Sequence, residues 1–350
     1  MAYTYTALRD HVESALRDST NATYSTGELD YNIVEGLRES AEYVKHLVMV
    51  PFNMESRTGY ATSTSTGNLV DATESQFLST DTGKRVHNTT DNTWADIISY
   101  SSSSQVGLSH DIMAADDAYE IYNKGCWQNN QINIESVEDY LWVEKVEYPV
   151  GTERNFNLEG NIITVWINFN PDDTSESDAN KIVYVWFNKR HKLSQLTDFV
   201  GAVDYTSGYS KGDTSMVIDG LQASGTIEED QEFTLASRPQ VYTVTESATI
   251  SGNEATVTFY PGLDADVAND IVVNFVQSTL PRKLEPVLVD LIKGRAIMDE
   301  SNTHLNARSI LDPKAWKNYL EASAVPYNNA LAKLQAMAES KTSEILPMGA

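Results

Sequence analysis

Apolar residues recur at helical spacing toward the two ends of this chain, and the long stretch between them has a different texture. Leu8, Val12 and Leu16 repeat every four residues, which places them on one helical face. After a polar break at 21–26, Ser25 and Glu28 have the S-x-x-E spacing of a capping box, in which each side chain satisfies a free amide at the helix start. The stripe then runs through Leu29, Ile33, Leu37, Val44 and Leu47, and Pro51 is expected to close the helix. Helical texture returns at Leu280, with Pro281 suited to a first turn and Leu284, Val287, Leu288, Leu291 and Ile292 behind it. Asp312-Pro313 reads as a second start, followed by Trp316, Tyr319 and Leu320. Pro326 is expected to kink or divide the helix before Leu331, Leu334 and Met337. Neither end has enough apolar faces to bury alone, so the ends are expected to pack together and the middle to be inserted between them.

The middle reads as β structure. Gly59 to Asn68, rich in Thr, Ser and Gly, is expected to be a linker or long turn. Short β-branched and aromatic runs follow at Arg85–His87, Trp94–Tyr100, Val106–Leu108 and Tyr119–Tyr122, at the spacing of a small antiparallel module. Longer strands are expected at Leu141–Tyr148, Asn161–Phe169 and Lys181–Phe187, with a polar, acidic hairpin loop over Pro171–Asn180. A second module is expected from Phe199 to Val276, with strands at Ser215–Ile218, Glu232–Leu235, Gln240–Thr245, Ala255–Tyr260 and Ile271–Val276 and a tight turn at Ser251-Gly252-Asn253.

The 350 residues include 50 acids against 25 bases, a formal net charge of −25. That balance argues against a surface built to grip nucleic acid, since phosphate contacts need Lys and Arg. It also repels anionic membranes, and the longest apolar runs, such as His46 to Phe52, fall far short of a membrane span. Met1 to Asp10 has no apolar core of a signal peptide. Cys126 is the only cysteine, which excludes an intrachain disulfide and suits a reducing cytoplasm.

Motifs that carry chemistry are missing. No P-loop, dinucleotide fingerprint, nucleophile elbow or H-E-x-x-H occurs. His11, His46, His87, His110, His191 and His304 never fall at i, i+4, so no metal site and no cofactor is expected. The acids Asp116-Asp117, Asp172-Asp173 and Glu228–Asp230 fall in turns, where solvated carboxylates are the ordinary explanation and weak calcium binding the alternative. Trp94, Trp127, Trp142, Trp166 and Trp186 are expected as core or interface anchors more than as a sugar platform. No catalytic residue is nominated, and the chain reads as structural, not as an enzyme.

In order along the chain, several segments resemble the head-to-tail adaptor (connector) proteins of tailed bacteriophages. They are the capped helices of Leu8–Leu47, the strand and turn Val143-Glu144-Lys145-Val146-Glu147-Tyr148-Pro149-Val150-Gly151, and the strand Val183–Leu193 ending in His191-Lys192-Leu193. The helix beginning Leu280-Pro281-Arg282-Lys283-Leu284 completes the series. In simpler members that helix follows the strand directly, whereas here about eighty residues intervene between Leu193 and Leu280, which locates an insertion. Its segments Val241-Tyr242-Thr243-Val244 and Phe259-Tyr260-Pro261-Gly262-Leu263 are similar to small β modules of phage structural proteins, as are Asn88–Trp94 and Tyr119–Tyr122 of the first module.

The resemblance implies an α+β fold. A helical adaptor domain would come from residues 1–57 and 277–340, with antiparallel strands over 131–198, inserted all-β modules at 58–130 and 199–276, and a tail at 341–350. It implies a virion protein of the neck, at the portal vertex, made in the host bacterial cytoplasm. That protein would form a homo-oligomeric ring, commonly a dodecamer, between the portal protein and a tail or nozzle protein. DNA would pass without specific binding during ejection, and no membrane partner is implied. Adaptor C-terminal regions often reach into the portal ring, so Tyr327, Leu331, Leu334, Met337, Ile345, Leu346 and Met348 are the expected portal-docking residues. The rival expectations are a tail or baseplate component with host-glycan-binding β modules, and a capsid decoration protein.

Overall fold

The computed structural model describes residues 4–167, 182–236, 238–306 and 315–342. The fold is mixed α+β. Helices α1 (Tyr5–Leu16) and α2 (Thr26–Tyr43) lead the chain. Strands β1 (His46–Asn53), β2 (Thr58–Tyr60), β3 (Asn68–Val70), β4 (Arg85–Asn88), β5 (Thr93–Ser102), β6 (Gln105–Leu108) and β7 (Ala118–Tyr122) follow. Then come β8 (Gln131–Asn133), β9 (Tyr140–Glu147), β10 (Glu153–Arg154), β11 (Phe156–Glu159), β12 (Ile162–Val165) and β13 (Ile182–Lys189). Strands β14 (Val200–Val203), β15 (Ser215–Asp219), β16 (Ser224–Ile227), β17 (Glu232–Leu235), β18 (Val241–Val244), β19 (Ala248–Ser251), β20 (Ala255–Tyr260) and β21 (Val272–Phe275) precede helices α3 (Glu285–Asn306) and α4 (Ala315–Thr342). Two compact units result, one from Met1–His46 with Lys189–Ala350 and the other from Leu47–Asn188.

In the first unit the helices of both chain ends share one core. Leu8 and Val12 of α1, Leu29, Ile33 and Leu37 of α2, Leu288, Leu291 and Ile292 of α3, and Ala330 and Leu334 of α4 form a single buried cluster. Local chemistry sets the boundaries. Thr4 caps α1 by accepting from the Ala7 amide, and Arg17 ends it in the left-handed region. The Asp18 carboxylate then accepts from the amides of Ala22, Thr23 and Tyr24 at 2.8–2.9 Å, which fixes the connection. The Ser25–Glu28 capping box opens α2.

The same unit holds a closed antiparallel barrel of strand order β14-β15-β20-β18-β17-β21, with β16 and β19 paired beside it. Its interior alternates out of the strands, with Met216, Ile218, Phe233, Leu235, Tyr242, Val244, Val257, Phe259 and Phe275 buried. Gly252 and Asn253, both at positive φ, make the turn from β19 to β20, where Ser251 and Glu254 exchange backbone hydrogen bonds. The chain enters and leaves the barrel side by side, since Ser194 N–H donates to Gln277 O and Thr279 N–H to Lys192 O.

The second unit has two cores. A six-stranded sheet of order β2-β7-β4-β5-β6-β3 buries Leu69, Phe77, Val86, Ile97, Val106, Tyr119 and Ile121. Sheets β1-β13-β9-β10 and β11-β12-β8 bury Ile132, Val146, Ile163, Val165, Val183, Val185 and Phe187.

Several local expectations need correction. Helix α2 stops at Tyr43, and Leu47 and Pro51 lie on β1 instead, because His46–Asn53 is a β-branched, alternating run at a sheet edge, where proline is tolerated. The expected linker contributes the last two residues of β2 and the first residue of β3, the two edge strands of the six-stranded sheet. Pro281 only opens a turn, closed by Leu284 N–H to Pro281 O, and Pro286 takes the first-turn position of α3. Helix α4 runs through Pro326 without division. The strand expected over Asn161–Phe169 is regular only at Ile162–Val165, and its end, the loop Pro171–Asn180 and the start at Asp312-Pro313 lie outside the described residues.

Helices α3 and α4 cross closely at Gly294. A Cβ there would sit 2.7 Å from Tyr327 Cβ and 2.9 Å from the Tyr327 backbone nitrogen. Alanine normally favours a helix over glycine by about 1 kcal/mol, yet Gly294→Ala should reverse that sign and destabilise by about 1–3 kcal/mol through overpacking. A thermal melt reads the outcome, and an unchanged or raised Tm would show that the helices are not in backbone contact there.

Candidate functional site

The expected docking residues on α4 face the chain's own core. Leu334 has no exposed surface, and Tyr327, Leu331 and Met337 pack against the helical cluster. Tyr327 Oη also donates to Glu39 Oε1 at 2.6 Å, with Arg295 Nη1 on Glu39 Oε2 at 3.0 Å. Burial and that carboxylate push the Tyr327 phenol up to about 12. The apolar stripe thus already has an intramolecular partner. Ile345, Leu346 and Met348 lie outside the described residues.

The structure assembles a polar cluster where the barrel meets the helical frame. Lys189, 2% exposed, ends β13 and sends its ammonium to Asp230 Oδ2 at 2.8 Å and Glu229 Oε1 at 3.2 Å. Lys192 Nζ reaches Glu228 Oε2 at 3.1 Å, and Gln195 Nε2 reaches Glu228 Oε1 at 3.0 Å. Between them His191 Nε2 is 2.9 Å from Val44 O, and His46 Nδ1 is 3.0 Å from Arg190 O. The two imidazoles stack at 5.3 Å between centroids, and His46 Nε2 lies 4.0 Å from Glu232 Oε1. The expectation of solvated turn acids at Glu228–Asp230 is therefore corrected. The signal was the run Lys189-Arg190-His191-Lys192, a basic patch in an acidic chain placed just before the insertion.

A second charged cluster lies inside the other unit. Arg57 bridges Glu55 and Asp81, with Nη2 at 2.8 Å from Glu55 Oε2 and 2.6 Å from Asp81 Oδ1. Lys84 Nζ contacts the same acids at 2.5 and 3.0 Å. Burial alone would raise the Glu55 carboxyl. The Arg57 hydrogen bond and the Lys84 and Arg57 charges outweigh it and hold the group down at about 2. Beside this cluster is a cleft of about 540 Å³, lined by Phe52, Lys84, Asn123, Lys124, Asn133 and Glu135 among others. Its lysines are matched, Lys84 as above and Lys124 by Glu135 at 2.7 Å.

On the six-stranded sheet Trp94 stacks on His87, with centroids 4.0 Å apart, and Tyr122 lies 5.4 Å from the indole. Trp94, Trp127 and Trp166 are 37%, 50% and 62% exposed, so these three are not core anchors. Among the described residues no group of three His, Cys, Asp or Glu is placed to hold a metal ion. No described helix is long and apolar enough to cross a membrane. No family model, curated protein or solved structure matches the chain.

Two variants test these clusters. Lys189→Met leaves a buried carboxylate unpaired and should cost about 3–5 kcal/mol, with most of it regained in Lys189→Met/Asp230→Asn. Equal stability of the single and double variants would show that the pair is not coupled. For Glu55, the folded pKa lies below the ordinary 4.5, so its contribution is complete above that value and is lost as pH falls toward about 2. The stability gap between wild type and Glu55→Gln should therefore shrink over that window in acid-titrated melts. A gap constant with pH would remove Glu55 from the account.

Proposed function

We propose that this chain is a structural virion protein, a head-to-tail adaptor that forms a ring between the portal and the tail. The observation that carries the reading is the order of its parts. Helices from both chain ends close on one core, and a strand running into His191-Lys192-Leu193 leads, by way of an inserted barrel, to the helix after Leu280. That is the order in which the adaptor resemblance runs. On this reading residues 1–57 and 277–340 form the adaptor domain. The inserted β modules are those at 58–130 and 199–276, and the antiparallel strands lie over 131–198.

The net charge of −25 suits such a role. An acidic wall repels phosphate and lets DNA pass without sticking. Because Tyr327, Leu331, Leu334 and Met337 are engaged within the helical core, docking to the portal falls to the tail, where Ile345, Leu346 and Met348 form an apolar cluster among polar residues. Burial of these side chains between portal subunits would offset the cost of ordering the tail.

The exposed Trp94, stacked on His87 beside Tyr122, favours one alternative, a tail or baseplate component whose first β module holds a host glycan.

Electron microscopy of the purified protein separates the two. Rings of regular stoichiometry are expected for the adaptor, whereas a trimer or a glycan-binding monomer would replace that reading with the alternative. A chain truncated after Glu339 should still form rings but fail to cosediment with DNA-filled, portal-bearing heads. Normal cosedimentation would reject the docking role of the tail.

A further inference from the structure

Lys189 and Asp230 are an amine and a carboxyl group held in contact where water scarcely reaches. Their side chains are 3% and 11% exposed, and Lys189 Nζ lies 2.8 Å from Asp230 Oδ2. Both sit on fixed backbone. Lys189 closes β13, and Asp230 occupies the turn before β17. There its amide donates to Val244 O at 2.8 Å, and the Val244 amide donates to Gln231 O at 2.9 Å. Asp230 holds this place in the left-handed region, at φ 63°, which aspartate tolerates better than most residues. A third group completes the set. Glu229 Oε1 is 3.2 Å from the same ammonium, and its side chain, 34% exposed, reaches solvent.

Burial changes the chemistry open to the pair. In water an ammonium and a carboxylate do not condense, because each ion is strongly hydrated. A dry site removes that hydration, and an amide between the two groups removes both buried charges at once. Contact supplies the rest, since groups held in reacting position behave as if present at roughly 10⁵–10⁸ M.

The other buried lysine cluster shows what such a pair must lack. Lys84 also touches two carboxylates, but there the Arg57 guanidinium bonds to both Glu55 and Asp81. A guanidinium keeps its charge, and it helps hold the Glu55 carboxyl down at about 2, so these acids stay anionic and are poor electrophiles. At Asp230 and Glu229 the only cation in contact, among the described residues, is Lys189 itself.

We propose that Lys189 Nζ and Asp230 Cγ condense into an intramolecular amide, with Glu229 as the proton relay. One ammonium proton passes to Asp230, leaving a neutral amine beside a carboxylic acid. The amine lone pair attacks Asp230 Cγ, and the Nζ–Cγ bond forms. Glu229 then takes a second proton from the nitrogen and delivers it to the departing hydroxyl, so that the Cγ–O bond breaks and water leaves. An ammonium and a carboxylate thus become one amide and one water, with no oxidant, no reductant and no change in total charge. Glu229 returns to its starting state at the solvent side. The product ties the end of β13 to the turn before β17, 41 positions further along the chain.

Intact-mass spectrometry of the folded full chain, followed by tryptic digestion after denaturation, reads the bond. Wild type is expected to be one water lighter than its sequence. Its digest should contain a branched peptide joining the segments around Lys189 and Asp230, with no cleavage after Lys189. Lys189→Arg keeps the charge pair without a nucleophilic amine and should retain the full mass. Glu229→Gln should form the bond about a hundredfold more slowly in a time course after refolding. Folded wild type that keeps its full mass would overturn the amide. So would a lost water that persists in Lys189→Arg, as a succinimide at Asp219-Gly220 would produce. Equal rates in wild type and Glu229→Gln would overturn the relay.

Discussion

A buried ammonium holds the barrel-bearing unit together. Lys189 sits at the end of β13 with almost no exposed surface and is matched by Asp230 and Glu229 from the turn before β17. A lysine in that position is strongly unfavourable unless its charge is met, so the turn cannot leave without exposing an unpaired cation to a low-dielectric site. Lys192 with Glu228, and His191 with the carbonyl at the end of α2, extend the constraint in both directions along the chain. The two segments that join the barrel to the frame run antiparallel and are bridged at Leu193 and Ser278. The ion pairs add little net stability relative to an apolar contact of the same shape. Charge and hydrogen-bond geometry do, however, discriminate between orientations more sharply than apolar contact does.

The elements legible in the sequence are those whose boundary chemistry is local. Ser25 and Glu28 marked the start of α2, and the turn at Gly252-Asn253 marked a hairpin, because a cap or a tight turn is satisfied within a few residues. The strand cores around Val183, Val185 and Phe187, and around Phe233 and Leu235, were readable from alternation. The end of α2 was not. Val44 and Leu47 continue the helical spacing, and only sheet pairing of His46–Asn53 decides for a strand. Short strands such as β2, β3 and β14 were also missed, as three or four residues carry too little periodicity to stand out from a Thr- and Gly-rich loop. The run of α4 through Pro326 reflects tertiary packing, with Tyr327, Ala330 and Leu334 seated on the helical core on the far side of the proline.

Candidate-site residues were less readable than the fold for a related reason. A carboxylate in a turn looks the same in sequence whether it faces water or a buried lysine, and the difference lies in a partner about forty positions away, as with Lys189 and Asp230. The apolar stripe of α4 likewise has the same spacing whether it meets α3 or another protein. Structure assigns it to the first. Exposure separated the tryptophans in the same way, leaving Trp94 on a sheet surface where strand position alone had suggested an anchor.

Charge links these observations to assembly. A chain with twice as many acids as bases gains solubility and a surface that phosphate avoids, and it loses the ability to approach its own copies through most of that surface. The acids are not spread evenly. Glu55, Asp81, Glu229 and Asp230 are taken up by internal lysines and arginines, whereas the barrel wall is almost free of charge. Each such pair uses a base together with an acid, so the excess of acids is not reduced by them and has to be met by water and counter-ions.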